Sequence, residues 1–270
     1  MQKIVMIEGV TLPDVWFQLI YNILEHGRDF KIDSGSYAGS IRKELDFCVI
    51  HITRPWERDS EGFPLIPTMP EAGNMVAPVD RDYLINYAGY ILSSEMAENE
   101  SYTYGSRLNR VSISDELSEE IRSKRDIYRD YREMVSLENC IYGGKDKWFS
   151  QVEFAIEEYK KSPRTNQMCL QIASPTDMTL IDMPCLRAID TRIQDGKLHF
   201  NGIHFRSWDA WGGFPANLAG ISMLQEHMAN EIGCEQGEMI CVSKGLHLYD
   251  YAVSFAQMRC MLGDDTCKGF

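Results

Sequence analysis

The sequence is short of basic residues, and that shortage limits what the protein can bind. It has 27 lysines and arginines against 40 aspartates and glutamates among 270 residues, which gives a formal net charge of −13. Nucleic-acid binding typically needs a basic face, and docking on an anionic membrane needs a basic patch, so we expect neither partner. An anionic small molecule is still compatible, since a few clustered arginines can oppose the global field locally.

Long apolar runs are also missing. No uncharged apolar stretch approaches the roughly 20 residues that a membrane-spanning helix needs. The N-terminus has a short apolar run interrupted by Glu8, which is unlike a secretory signal. We therefore expect a cytoplasmic protein.

The eight cysteines include no Cys-x-x-Cys pair. This spacing argues against a zinc knuckle or a thioredoxin-type motif, so no metal is expected. In a chain without a secretory signal, dispersed cysteines are typical of reduced core residues. One of them can still be a reactive nucleophile.

Periodicity and turn signals predict the secondary structure. Helices are predicted over 12–26, 81–97, 112–137, 147–161, 215–231 and 249–262, and strands over 45–53, 167–173, 186–194, 198–206 and 238–243. Residues 54–80, rich in proline, glycine and charge, are predicted to form a long loop, and Asp195-Gly196 predicts a hairpin turn. Helices and antiparallel strands without a regular βαβ alternation predict an α+β fold, in a single domain over 1–270.

Several short segments in the last third of the chain carry side chains suited to chemistry. Cys185 follows Pro184 just before a strand, where a lone cysteine is most often a packing residue. Arg206, Ser207 and Asp209 lie together where the next strand ends. A guanidinium and a hydroxyl together are a common phosphate grip, although a solvated strand end with a turn-capping aspartate explains them as well.

Two further segments are ambiguous in the same way. Asn217 lies in the first turn of an apolar helix, as a cap, a surface residue or an amide that reads the edge of a planar ring. His247 and Tyr249 alternate around Leu248, which places both on one side of an extended segment. They suit either a buried hydrogen-bonded pair or a ligand contact.

Taken together, these segments resemble thymidylate synthase, the family that methylates dUMP at C5. The matching motifs follow in the family's order and spacing, and are Pro184-Cys185, Asp195-Gly196-Lys197-Leu198, Arg206-Ser207-Trp208-Asp209, Gly213, Pro215, Asn217-Leu218-Ala219 and His247-Leu248-Tyr249. A weaker match over 102–108 resembles the family's Tyr-Gly-x-x-Trp-Arg segment. The details of both regions are most similar to the archaeal branch.

The resemblance implies a role for each residue on the nucleotide. Cys185 would be the nucleophile that adds to C6 of the pyrimidine, so that C5 can attack a one-carbon donor. A neighbouring arginine lowers a cysteine pKa, which suits this role. Arg206 and Ser207 would hold the phosphate, with Arg206 also near Cys185. Asn217 would recognise the O4/N3 edge of uracil.

The remaining roles concern the sugar, the pterin and protons. His247 and Tyr249 would bond the sugar 3′ hydroxyl. Asp209, with Gly213 beside it, would help to hold the pterin ring. Asp209 and Tyr104 would also be catalytic, Tyr104 through the water network that moves protons.

The resemblance also implies partners and alternatives. The co-substrate would be 5,10-methylenetetrahydrofolate or methylene-tetrahydromethanopterin, and the fold a mixed or antiparallel sheet covered by helices, in a sheet-to-sheet homodimer. A pyrimidine nucleotide hydroxymethyltransferase, in which water replaces hydride, is the closest alternative; Asn217 favours uracil in either case. There are two weaker alternatives. One is a catalytically silent nucleotide-binding or RNA-regulating protein on the same fold, and the other is a Cys–His hydrolase using Cys185 and His247.

The sequence departs from the family at the phosphate. Phe205 stands where the family has glutamine, and Arg164 stands alone where the family has paired arginines that reach across a dimer. Lys31, Arg42 and the small residues 34–36 are candidates for the N-terminal phosphate loop. Phosphate binding is therefore less well specified than base binding.

Two further departures concern the donor side. Glu95, Glu98 and Glu100 are alternatives for the family's essential glutamate. The C-terminal residues 264–270 do not resemble the apolar tail that closes over the substrate.

Overall fold

A computed structural model describes residues 2–33, 37–69, 77–98, 100–126, 140–143 and 147–262. The helices are α1 (Leu12–His26), α2 (Arg81–Leu92), α3 (Tyr104–Asn109), α4 (Asp115–Asp126), α5 (Gln151–Lys161), α6 (Gly213–Ile232) and α7 (Asp250–Arg259). The strands are β1 (Ile4–Gly9), β2 (Arg28–Lys31), β3 (Ile41–Ile52), β4 (Val111–Ile113), β5 (Ile141–Tyr142), β6 (Lys147–Phe149), β7 (Cys169–Gln171), β8 (Leu186–Gln194), β9 (Lys197–Phe205), β10 (Trp208–Asp209) and β11 (Glu235–Tyr249). This mixture confirms the predicted α+β class.

Two predicted helices were wrong at their N-terminal ends. Residues 111–113 and 147–149 are strands, β4 and β6, which pair with each other in antiparallel register. Consequently α5 begins at Gln151, where the Ser150 side chain accepts a hydrogen bond from a backbone N–H of the first turn. The prediction over 81–97 was also too long, since α2 ends at Leu92. The part of the 112–137 prediction beyond residue 126 lies outside the described residues.

Eight strands of the described chain form one mixed sheet. Its main order is β1-β3-β11-β9-β8-β7, with β10 on β11 and β2 on β3. β11 is antiparallel to β3 and parallel to β9, so the predicted mixed sheet is confirmed. Helices α1 and α6 pack on one face, where Trp16 is fully buried and its indole N–H donates to the Ala210 carbonyl at 2.9 Å. No helix among the described residues is long and apolar enough to cross a membrane.

The other face of this sheet carries an apolar strip. In β1, which the sequence did not predict as a strand, Val5 and Ile7 are buried while Ile4 and Met6 are 71% and 70% exposed. Apolar residues occur on both faces of β1, so the alternation that signals a half-buried strand is absent. In the sheet register Met6 lies beside Val49 of β3. We define the apolar strip as Ile4, Met6, Phe47, Val49 and Val242.

Most of the buried apolar side chains form one hydrophobic cluster that extends from β1 to α7. Cys48 and Cys241 belong to it, as expected of small core residues, and none of the cysteines in the described ranges forms a disulfide. The single domain over 1–270 stays a prediction.

Candidate active site

The ends of two strands bring the thiol and the guanidinium together. β8 begins at Leu186, directly after Cys185, and β9 ends at Phe205, directly before Arg206. Leu186 and Phe205 are antiparallel partners, and the backbone N–H of Arg206 donates to the Cys185 carbonyl at 2.8 Å. The predicted hairpin therefore places the two residues side by side.

A third strand end brings in the remaining polar residues. β10 pairs in parallel with the C-terminal part of β11, with Asp209 opposite His247. The Ser207 hydroxyl lies 3.4 Å from Nδ1 of His247. The ring of His247 meets the ring of Tyr249 edge-on, with centroids 4.6 Å apart. Four residues that the sequence singled out thus lie in one cluster.

Cys185 is half-buried, and its surroundings shift the pKa of its thiol in opposite directions. Burial raises the pKa of the thiol above its ordinary value, and the Arg206 guanidinium lowers it without reversing the shift. Arg206 also donates to the carbonyls of Met183 at 2.6 Å and Pro184 at 3.3 Å. The arginine therefore fixes the segment before the nucleophile as well as supplying positive charge. The predicted lowering by arginine is present, but the net direction is opposite.

Tyr104, the first residue of α3, contacts the chain directly after Cys185. Its phenol oxygen accepts a hydrogen bond from the backbone N–H of Leu186 at 3.3 Å. Thr103 and Ser106 cap the helix reciprocally, which fixes where Tyr104 begins it. Burial, followed by the negative charge of an ionised Cys185, raises the pKa of the Tyr104 phenol. Tyr104 is consequently a neutral hydroxyl beside the candidate nucleophile.

Asp209 closes the N-terminus of α6. Its Oδ1 accepts from the backbone N–H of Trp211 at 3.0 Å, and its Oδ2 accepts from those of Gly212 at 3.1 Å and Gly213 at 2.9 Å. These bonds show that the capping alternative raised by the sequence is present. The negative charge of Asp209 also contributes to raising the pKa of the Cys185 thiol.

His247 is 3% exposed and offers one unused atom. Its Nδ1 donates to the Gly245 carbonyl at 2.8 Å, and burial lowers the pKa of the imidazole. The ring is therefore neutral, with Nε2 as an acceptor. Within the described part of the chain, Nε2 has no hydrogen-bond partner, which suits a hydroxyl donor from a ligand.

Asn217 is held by two side chains whose role the sequence did not reveal. The indole N–H of Trp208 donates to Oδ1 of Asn217 at 2.8 Å, and Nδ2 of Asn217 donates to the Tyr87 hydroxyl. Trp208 in turn stacks on Phe205, with centroids 3.7 Å apart and planes 5° from parallel. One signal for Tyr87 existed, because tyrosines recur along one face of α2.

The structure places some of the candidate phosphate-binding residues near the site and others at exposed positions. Arg42 lies opposite Tyr249 in the β3–β11 register, close to the site. Lys31 is exposed at the end of β2, and Arg164 is exposed between α5 and β7. Residues 34–36 lie outside the described residues.

The glutamate alternatives differ in their surroundings. Glu100 is half-buried and accepts a hydrogen bond from the Tyr90 hydroxyl, which contributes most to lowering the pKa of that carboxyl. Glu95 and Glu98 are exposed. The tail over 264–270 lies outside the described residues.

Comparison with known proteins settles the family. The family model described as thymidylate synthase matches residues 99–262, more than half of the chain, and this range includes the site residues from Tyr104 to Tyr249. The chain belongs to the thymidylate synthase family. The resemblance found in the sequence is thereby confirmed.

Its relatives extend the match to the N-terminal part. A "Putative thymidylate synthase" of Methanosarcina acetivorans is 28% identical over 246 residues, covering 91% of this chain and 89% of the relative. One of Methanothermobacter thermautotrophicus is 25% identical over 259 residues, covering 90% and 93%. The thymidylate synthase of Staphylococcus haemolyticus is 29% identical over 102 residues, covering 37% and 32%.

Membership of the thymidylate synthase family points to a one-carbon transferase with a co-substrate of the methylene-tetrahydrofolate type. Within the described ranges, no group of three or more His, Cys, Asp or Glu side chains is arranged to hold a metal ion.

Proposed function

We propose that this protein is a thymidylate synthase that converts dUMP to dTMP, with a methylene-tetrahydropterin supplying both the carbon and the hydride. The observation that carries the proposal is the juxtaposition of Cys185 and Arg206 on adjoining strand ends, inside a domain of this family. The pterin is 5,10-methylenetetrahydrofolate or methylene-tetrahydromethanopterin.

Cys185 begins the reaction. Its thiolate adds to C6 of the pyrimidine, and the electron pair of the C5–C6 double bond moves toward C5 and O4 to give an enolate. C5 then attacks the one-carbon donor. Because burial raises the pKa of the thiol, the positive charge of Arg206 is needed to keep a useful thiolate fraction.

The nucleotide contacts follow from unused hydrogen-bonding capacity. Arg206 uses two of its five N–H donors on backbone carbonyls, which leaves three for a phosphate. The Ser207 hydroxyl donates to the Gly245 carbonyl at 3.3 Å, and it would turn from that carbonyl to the phosphate when the nucleotide binds. The acceptor Nε2 of His247 suits the 3′ hydroxyl of the sugar, with Tyr249 beside it. The amide of Asn217 meets the uracil edge.

The number of hydrogen bonds that Asp209 can still accept limits its contact with the pterin. Two carboxylate oxygens offer about four acceptor sites, and three backbone N–H groups already use Asp209. Capacity for one pterin N–H therefore remains, next to Gly213. Tyr104, a neutral hydroxyl near Cys185, would belong to the proton-moving water network.

We further propose a homodimer, with sheet against sheet. The apolar strip supports a dimer, since Ile4 and Met6 are largely exposed in the single chain. Exposed apolar patches of this kind mark surfaces that are buried against a partner. Analytical ultracentrifugation should give twice the mass of one chain, and Met6→Glu should shift the equilibrium to monomer. A wild-type mass equal to one chain would contradict this part of the proposal.

The activity is tested with dUMP, UMP, dCMP and CMP, each with either methylene-tetrahydropterin, and the products are weighed by mass spectrometry. A methyl gain on dUMP with release of the dihydropterin supports the proposal, and Cys185→Ser should abolish it while sparing nucleotide binding. A hydroxymethyl gain with release of the tetrahydropterin identifies the hydroxymethyltransferase alternative instead. No product from any combination contradicts both.

A further inference from the structure

The geometry points to Trp208 as the residue that sets which pyrimidine base the site accepts. This inference rests on the proposed function, since it concerns the base recognised by Asn217. It goes further, because it assigns the choice between uracil and cytosine to a residue that does not touch the base edge in that proposal.

An asparagine amide does not distinguish uracil from cytosine unless its orientation is fixed. Uracil presents an acceptor at O4 and a donor at N3–H, whereas cytosine presents a donor amino group and an acceptor N3. A 180° turn of the amide exchanges its donor and its acceptor, so Asn217 could pair with either base. Discrimination needs a second group that tolerates one orientation and not the other.

Trp208 is such a group. An indole N–H donates and cannot accept, and it lies 2.8 Å from Oδ1 of Asn217. Turning the amide over would bring Nδ2 against this N–H and leave two buried donors without an acceptor, which is unfavourable. Trp208 is 2% exposed, so water does not rescue the turned state.

The stack on Phe205 keeps the indole in place. The two rings are 3.7 Å apart between centroids and nearly parallel, and both residues are buried. Phe205 stands where the sequence resemblance expects glutamine. The departure is consistent with a polar contact at this position being replaced by an aromatic platform for Trp208.

Tyr87 holds the amide without selecting its orientation. A phenol hydroxyl both donates and accepts, so it accepts from Nδ2 now and would donate to Oδ1 after a turn. It reaches Asn217 because α2 packs closely on α6 at Gly220, where an added Cβ would lie 3.3 Å from the Tyr87 ring. Trp208 therefore accepts only one orientation of the Asn217 amide, whereas Tyr87 accepts both.

After both contacts, the amide of Asn217 keeps one N–H and one acceptor site. These are the two groups needed for a single base edge, and their order is fixed by Trp208. We expect this order to match uracil.

The test measures dissociation constants for dUMP and dCMP by calorimetry, in the wild type, Trp208→Phe and Tyr87→Phe. Trp208→Phe keeps an aromatic ring on Phe205 but removes the N–H. We expect the wild type to prefer dUMP by roughly 100-fold or more. Trp208→Phe should reduce that preference at least tenfold, mainly by gaining affinity for dCMP, whereas Tyr87→Phe should weaken binding and keep the preference.

The outcomes separate this inference from the proposed function. A wild type that binds no pyrimidine nucleotide overturns the proposed function, and this inference with it. A wild type that prefers dUMP, with an unchanged preference in Trp208→Phe, overturns the inference alone. The inference is also overturned if Trp208→Phe weakens the binding of dUMP and dCMP equally. It is likewise overturned if Tyr87→Phe changes the preference as much as Trp208→Phe does, because a general packing defect would produce either result.

Discussion

The guanidinium of Arg107 donates to Oδ1 of Asp177 at 2.7 Å, and this pair joins α3 to the segment that leads to the nucleophile. Asp177 is 1% exposed, and its Oδ2 accepts from the backbone N–H of Ser174 at 2.7 Å. Burial opposes ionisation of Asp177, but the Ser174 N–H and Arg107 outweigh it and lower the pKa of the carboxyl. The pair thereby keeps Tyr104, at the start of α3, over the chain at Cys185.

Asp177→Asn should destabilise the protein by about 2 kcal/mol at pH 7, because it removes a charge-assisted hydrogen bond in a buried setting. The folded-state pKa is lowered, so this contribution is present above the ordinary value of 3.8 and is lost as the pH falls through the folded value. Urea unfolding at pH 7 and pH 3 measures it, and the difference from wild type should shrink at pH 3.

The control for this pair is Asp115→Asn, which removes an exposed ion pair with Lys147. We expect almost no change in the urea midpoint, since exposed pairs contribute little. Equal effects of Asp115→Asn and Asp177→Asn at pH 7 would show that the buried pair has no special role.

Gly105→Ala should lower both stability and activity, because α3 begins against the carbonyl end of α2. A Cβ at residue 105 would overlap the carbonyl oxygen of Ser93 and would lie 2.5 Å from that of Tyr90. Neither is the end of a flexible side chain, so α3 must shift and carry Tyr104 away from Leu186. We expect a lower Tm and a fall in kcat/KM.

Gly89→Ala is the matched control, on α2 itself. An added Cβ there meets no atom within 4 Å, and alanine favours a helix by roughly 0.5–1 kcal/mol over glycine. Gly89→Ala should therefore be neutral or stabilising. A Gly105→Ala protein that melts with the wild type would show that the contact between α2 and α3 is not tight.

Much of the candidate site was visible in the sequence, because its residues stand in short segments whose types and order are informative. Cys185, Arg206 and Asn217 are examples, and the hairpin around Asp195-Gly196 predicted how two of these segments meet. The recurring tyrosines of α2 marked Tyr87, but its contact with Asn217 could not be predicted, since the two residues are 130 apart in the chain and meet through helix packing. β4 and β6 were predicted as parts of helices because each forms a strand only through pairing with the other, far away in the chain.

Asp209→Asn should separate the capping role of Asp209 from its proposed pterin role. The substitution keeps one acceptor oxygen but sets an NH₂ group against at least one backbone N–H at the start of α6. Loss of the cap should cost about 1–2 kcal/mol of unfolding free energy, measured in urea. A pterin role adds a higher KM for the pterin with an unchanged dissociation constant for dUMP. Wild-type stability in this variant would contradict the capping role.

The reactivity of Cys185 should climb with pH well above neutrality. Burial raises the pKa of this thiol, and the thiolate is the reactive form, so the fraction ionised grows about tenfold per pH unit below the pKa. Iodoacetamide labelling from pH 7 to pH 10 measures it, with the modified peptide identified by mass spectrometry. Labelling at other cysteines is thereby counted separately.

Two charge variants should move this profile in opposite directions. Arg206 lowers the pKa of Cys185 and Asp182 raises it, so Arg206→Gln should shift the labelling profile to higher pH and Asp182→Asn to lower pH. Asp182 is exposed, hence its effect should fade as salt is added. A wild-type rate that is already constant from pH 7 upward would mean that the thiol is ionised in the free enzyme. Such a rate would contradict the raised pKa of Cys185 and would show that the charge of Arg206 outweighs burial, so that thiolate formation needs no help from the bound nucleotide.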